Sequence, residues 1–230
     1  LALTLNGAGA GATNTVSVEL ESSVKTNSIL WVQSGDLTIE ALDQSEINAD
    51  AGGVAIAVSL ASSNTTSTGA DLSGTVGVSL ADNTLNNSDK AFIDSSDVPV
   101  SGNLKLSAKS EKASGSTADY RVDALAFGVA VDASSEGSSN GFSGTLTGAG
   151  SSATNNIDNT ILAYVSNSDG SLIEATGWLT GDEPGVDVGG TLDLTSSDDA
   201  SSRAGGGGYA VSLSRSGGTS GSSGATGSGT

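Results

Sequence analysis

Apolar residues alternate with polar or small ones along most of the chain. Leu1-Ala2-Leu3-Thr4-Leu5, Val16-Ser17-Val18-Glu19-Leu20, Val76-Gly77-Val78-Ser79-Leu80 and Leu104-Lys105-Leu106 each place an aliphatic side chain at every second position. A period of two is the pattern of a strand with one face against a core. A 3.6-residue spacing is sustained nowhere, and Gly, Ser, Thr and Asn are too frequent for long helices. The pattern predicts an all-β chain of short strands, about four to six residues each, separated by Gly, Asn, Asp and Ser turns.

The strand-like segments recur in a fixed order. Asn14-Thr15-Val16, Asn83-Thr84-Leu85 and Asn159-Thr160-Ile161 are followed by Trp31-Val32, Phe92-Ile93 and Tyr164-Val165. Next come Gly35-Asp36-Leu37-Thr38-Ile39, Gly102-Asn103-Leu104-Lys105-Leu106 and Gly190-Thr191-Leu192-Asp193-Leu194, and then the small-apolar runs Val54 to Leu60, Ala124 to Val131 and Tyr209 to Leu213. Ser73-Gly74-Thr75, Ser143-Gly144-Thr145 and Ser228-Gly229-Thr230 each close a Ser-rich stretch. This order divides the chain into units 1–75, 76–145 and 146–230, in phase with its own start, as expected of a window on a longer array. The Ser/Gly tail from Ser214 has counterparts in Ser62 to Thr75 and Ser134 to Thr145, and is expected to form a surface loop and turn.

Strands rich in Ala, Val and Leu but poor in aromatics suit a β-solenoid, a parallel β-helix in which successive coils supply each other's backbone partners at about 4.8 Å per coil. The alternative is a row of tandem β-sandwich domains, which commonly anchor a compact core on a buried Trp or Tyr. With coils of about 20 to 25 residues, each unit would hold about three and the whole chain about ten, a continuous rod of roughly 50 Å. Asn14, Asn83 and Asn159 are candidates for an inward amide ladder. Trp31, Phe92 and Tyr164, with Phe127 and Tyr209, are candidates for packing at equivalent places.

These Asn-Thr-aliphatic, aromatic-β-branched and Gly-x-Leu-x-aliphatic segments, joined by Gly/Ser/Ala-rich runs, resemble the repeat regions of giant bacterial surface proteins of the filamentous-haemagglutinin and autotransporter type. The resemblance lies in composition and period across the whole chain. It implies a right-handed parallel β-helix, an extracellular or cell-surface location, and a part in adhesion, sheath or matrix. Neither a secretion domain nor a binding tip is visible in the chain.

Composition narrows the chemistry. The 230 residues hold 33 Gly, 41 Ser and 22 Thr, and neither Cys, Met nor His. That removes thiol and imidazole nucleophiles and bases, and thiolate or imidazole zinc sites, so the chain reads as non-enzymatic. A formal charge of −18, with three Arg and five Lys, disfavours nucleic acid and anionic membranes. No apolar stretch approaches the roughly 20 residues that span a bilayer. No repeats-in-toxin nonapeptide or EF-hand loop occurs, and no cofactor is implied. Unit three is longest, with its surplus around 170–187. Asp182, Glu183 and Asp187 are weak candidate oxygen ligands for Ca2+, and Trp178 a candidate contact for glycan or a neighbouring subunit. Asp198-Asp199 with Arg203 is a faint trace of glycan-cleaving acid/base pairs, but adjacent strand residues point to opposite faces. The expected role is a structural segment of an extracellular filament, sheath or surface coat, joined head to tail through open coil ends. The alternative is an adhesin stalk that binds glycan or a partner through the unit-three loop.

Overall fold

The computed structural model describes residues 2–60, 70–135, 142–166, 185–215 and 224–229. Among them there is no helix. The strands are β1 (Ala2–Val16), β2 (Glu19–Val24), β3 (Leu37–Asp43), β4 (Ile47–Leu60), β5 (Ala70–Leu85), β6 (Ser88–Asp94), β7 (Val98–Val100), β8 (Leu104–Ser110), β9 (Val122–Ser135), β10 (Phe142–Ile157), β11 (Thr160–Ser166), β12 (Val186–Val188), β13 (Leu192–Asp198), β14 (Ser202–Arg215) and β15 (Gly224–Gly229).

The chain makes three passes over the same set of sheets, and each pass forms one layer. The sheets run β1-β5-β10, β2-β6-β11, β7-β12, β3-β8-β13 and β4-β9-β14-β15, and every pairing is parallel except β14 with β15. The Gly-x-Leu patches fix the register: Leu37, Leu104 and Leu192 stack, as do Ile39, Leu106 and Leu194. Tandem sandwiches would pair strands within a unit. Here each of the three- and four-stranded sheets draws strands from all three passes.

Each unit supplies one layer instead of three coils, so the outermost strands of a sheet lie only about 10 Å apart at the usual strand spacing. The cause is strand length. β1, β4, β5, β9, β10 and β14 run for 14 to 16 residues, and the small residues expected to mark turns lie inside them. Gly7-Ala8-Gly9-Ala10-Gly11 is extended strand, and so is Gly205-Gly206-Gly207-Gly208. The unit boundaries at 75/76 and 145/146 fall within β5 and β10, because Ser-Gly-Thr here belongs to a strand and not to a turn.

Two interiors result. The sheets of β2, β7 and β3 with their stacked partners enclose a wide end filled by Ile39, Ile93, Val98, Val100, Leu104 and Leu106, with Leu20, Val24, Ile161 and Val165 packed beside them. The sheets of β1 and β4, with their partners, lie face to face as a thin slab. Going outward from the wide end, the slab interior shrinks from Ile47, Leu85 and Val122, through Ala49, Ala51, Ala81, Ala124 and Ala126, to Gly53, Gly77 and Gly128. A Cβ added to Gly53 would sit 2.5 Å from the Val78 carbonyl oxygen, and one on Gly128 2.5 Å from that of Gly150. Glycine is therefore required at these two points, where the backbones of opposing sheets nearly touch.

Candidate functional site

Side chains meet at the waist, where the slab opens into the wide end. Asn14, Asn83 and Asn155 stack in register: Asn14 Nδ2 donates to Asn83 Oδ1 and Asn83 Nδ2 to Asn155 Oδ1, both at 3.2 Å. Each amide also reaches across the slab to a carbonyl of the opposing sheet, at Asn48, Asp123 and Arg203 respectively, each at 2.6 Å. The ladder thus satisfies its own polar groups while tying the two sheets together. Its third member is Asn155; Asn159 lies four residues further on. Asn159 stacks instead beneath Asn87, accepting the Asn87 N–H at 3.1 Å, while Asn87 accepts the Val18 N–H at 3.0 Å. The Asn-Thr-aliphatic match of Asn159-Thr160-Ile161 concealed the true counterpart, Asn155-Asn156-Ile157.

Across the waist the ends of β3, β8 and β13 stack Asp43, Ser110 and Asp198. Arg121, fully buried just before β9, reaches both carboxylates: Nη2 pairs with Asp43 Oδ2, and Nη1 lies 3.8 Å from Asp198 Oδ1. Its remaining donors go to Ser110 Oγ at 2.6 Å and the Ser45 carbonyl at 2.9 Å. Burial works to raise the Asp43 pKa, but hydrogen bonds from Ser45 and Asn87, with the charge of Arg121, hold it below the ordinary value. Asn87 Nδ2 donates to Asp43 at 2.7 Å and Asn159 Nδ2 to Asp198 at 3.2 Å.

Asp89 is the exception. It interrupts an aliphatic ladder between Leu20 and Ile161, is 0% exposed, and neither carboxylate oxygen has a hydrogen-bond partner. Desolvation pushes its pKa up to about 6; the charges of Asp43 and Asp198 raise it and that of Arg121 lowers it.

The aromatic candidates separate. Phe92 and Tyr164 stack across layers with ring centroids 4.8 Å apart and 2° between planes. Their first-layer counterpart is Ser23, while Trp31 lies outside β2 and is exposed. Phe127 and Tyr209 both face outward from the slab but sit two positions out of register, opposite Gly207 and Val129. Asp187 is an exposed residue of β12 beside Pro99, whereas Asp182, Glu183 and Trp178 lie outside the described residues. No group of three or more acidic, His or Cys side chains is placed to hold a metal ion among the described residues. Asp199 is exposed, and Arg203 is occupied by Asp123 at 2.9 and 2.5 Å. No sequence pattern singled out Arg121, Asp43 or Asp89.

Among the described residues the stack ends in open sheet edges. In the first layer β1, β2, β3 and β4 have partners on one side, as do β10, β11, β12 and β13 in the third. Among the described residues β14 alone is covered, by the antiparallel β15 pairing Tyr209 with Gly229 through Ser214 with Gly224. Leu37 donates its N–H to the Asn103 carbonyl at 2.8 Å, so the alternate residue Thr38 turns its amide away from β8, toward the free edge. No family model, curated protein or solved structure matches the chain. No helix among the described residues is long and apolar enough to cross a membrane.

Proposed function

We propose that the chain is a structural segment of a β-solenoid filament, sheath or surface coat, extended end to end by parallel strand addition. The observation that carries this reading is the in-register layering itself. Three passes already add to one another through the same edges, and among the described residues the first layer presents four strands with those edges unfilled. A row of unpaired N–H and C=O groups is a template for a further layer, supplied by another copy or by a longer chain of the same repeat. The antiparallel β15 then acts as a partial cap on the third-layer side. The extracellular, bacterial setting rests on the resemblance of the repeat to filamentous-haemagglutinin and autotransporter regions.

Cryo-electron microscopy of the native protein tests this reading. Fibres with an axial repeat near 4.8 Å are expected, and Thr38→Pro, which puts a ring on the free edge without removing an internal hydrogen bond, should shorten or abolish them. Monodisperse single particles at every concentration would overturn it.

A second reading, an adhesin stalk, is favoured by one feature. The crossing from β6 to β7 takes only residues 95–97, whereas that from β11 to β12 takes 167–185. Insertions at one corner of a layered repeat often form its binding face. Deleting residues 171–184 should abolish glycan or partner binding and leave the layers intact if this reading holds.

A further inference from the structure

The outer face of the β1-β5-β10 sheet carries apolar side chains that nothing in the described chain covers. Val76, Val78 and Leu80 of β5 are 50%, 39% and 53% exposed and form a ridge along the middle strand. The register sets Gly7, Gly9 and Gly11 of β1 on one side of this ridge, and Gly148, Gly150 and Ser152 of β10 on the other. The result is one ridge between two grooves.

The fold itself does not require the groove glycines. None has a positive φ. A Cβ on Gly11, Gly148 or Gly150 would meet nothing within 4 Å, and at Gly7 and Gly9 it would meet a carbonyl oxygen at an ordinary 3.8 and 3.7 Å. Glycine within a strand is destabilising by roughly 0.5–1 kcal/mol relative to Ala, and otherwise marks a place that another backbone approaches. On the opposite outer face Gly52 is open in the same way, but the β14 glycines are already used. A Cβ on Gly205 or Gly207 would run into Leu125 or Phe127 at 3.0 and 3.1 Å, so those side chains lean over their own groove.

We infer that the β1-β5-β10 face docks on the same face of a second copy of this chain, ridge in groove, with the two copies offset by one layer. An offset of about 4.8 Å seats the ridge of each copy in a glycine groove of the other. The contact is self-complementary, as a two-fold interface must be. Charge favours the same occupant. The chain carries −18, yet residues 3–11, 72–80 and 144–152 contain no ionisable side chain, so copies that repel elsewhere can meet there. With the one-layer offset, two of the three strands of each face overlap, roughly 30 by 10 Å from strand dimensions, about a third of the roughly 800 Å² per partner that a stable interface buries. A three-layer chain should therefore pair weakly, and a stack of twice as many layers firmly. This contact uses a sheet face, not the strand edges, and goes beyond the end-to-end reading without depending on it.

Sedimentation velocity over a wide concentration range tests the inference, with Thr38→Pro as background to suppress edge pairing. A concentration-dependent dimer is expected. Val76→Lys, which charges the ridge, and Gly9→Val with Gly150→Val, which block both grooves with good strand formers, should each weaken it at least tenfold. If Val76→Lys loses its far-ultraviolet β signal, the groove variant decides alone. Monomer at all concentrations in the background protein, a dimer unmoved by the groove variant, or binding to neutral lipid vesicles in place of a dimer would each overturn the inference.

Discussion

The wide end and the slab stack the same three layers but are filled by opposite rules. At the wide end the interior is Leu, Ile and Val and the outer positions include Glu19, Glu40 and Lys105. In the outer half of the slab the interior is Gly, Ala and Ser with Thr75 and Asp132, while Val54, Ile56, Val58, Val76 and Leu80 face out. The wide end is an ordinary hydrophobic core, stabilised by removing apolar area from water at roughly 25 cal/mol per Å². The slab gains little that way. Its sheets are held by backbone contact at close range, by the hydrogen bonds within each sheet, and by the Asn14-Asn83-Asn155 ladder. Parallel layering thus fixes the order of strands without fixing which face is apolar, and the slab is left with apolar side chains on its outer faces.

The waist between the two regions is where the largest effect is expected. Arg121→Ala would leave Asp43 buried without its cation and should destabilise the protein by about 3–5 kcal/mol, measured by urea denaturation. Replacing both partners, Arg121→Met with Asp43→Leu, should recover most of that loss, since a buried pair exchanged for apolar groups is often close to neutral. A double variant as unstable as the single one would mean that the two interiors are coupled through hydrogen bonds to Asp43 and not through its charge.

Asp89 sharpens the contrast from the wide-end side. Its folded pKa, about 6, lies above the ordinary 3.8, so the folded state holds this proton more tightly than the unfolded one. Its stabilising contribution is complete below about pH 3.8 and is lost as pH rises through 6. Between pH 7 and 4.5 stability should therefore increase on acidification by about 1–3 kcal/mol, before protonation of Asp43 reverses the trend at lower pH. Asp89→Asn should flatten that slope. A slope that survives the substitution would assign it to the general negative charge.

Much of the wide end was legible in the sequence, because Gly-x-Leu-x-aliphatic patches have the period of two and the side-chain size of a normal core, and they stack in the order read. The slab was legible in content but not in geometry. Runs such as Gly7 to Gly11 and Gly205 to Gly208 carry the chemistry of turns, and parallel pairing with β5 and β9, beside an opposing sheet that approaches closely at Gly53, Gly77 and Gly128, makes them strands. The waist was barely legible. Asp43, Asp89 and Arg121 stand far apart in the chain with no motif around them, and their meeting is set by the register of strands from different passes. The Asn ladder was half visible: its type was readable, but the register, and with it Asn155, came from pairing.

The smallest effect separates two neighbouring glycines of the slab. Gly52 and Gly53 are adjacent in β4 and so point to opposite faces. A Cβ on Gly53 would meet the Val78 carbonyl at 2.5 Å, whereas one on Gly52 meets nothing within 4 Å. Gly53→Val should force the sheets apart and destabilise the protein by about 1–3 kcal/mol. Gly52→Val should be neutral or stabilising by up to about 1 kcal/mol, through lower unfolded-state entropy and better strand propensity. Thermal or urea unfolding of the two variants reads the difference directly, since they share composition and position in the chain. Equal effects would show that the slab is not closed by backbone contact, and that its interior does not differ in kind from the side-chain core of the wide end.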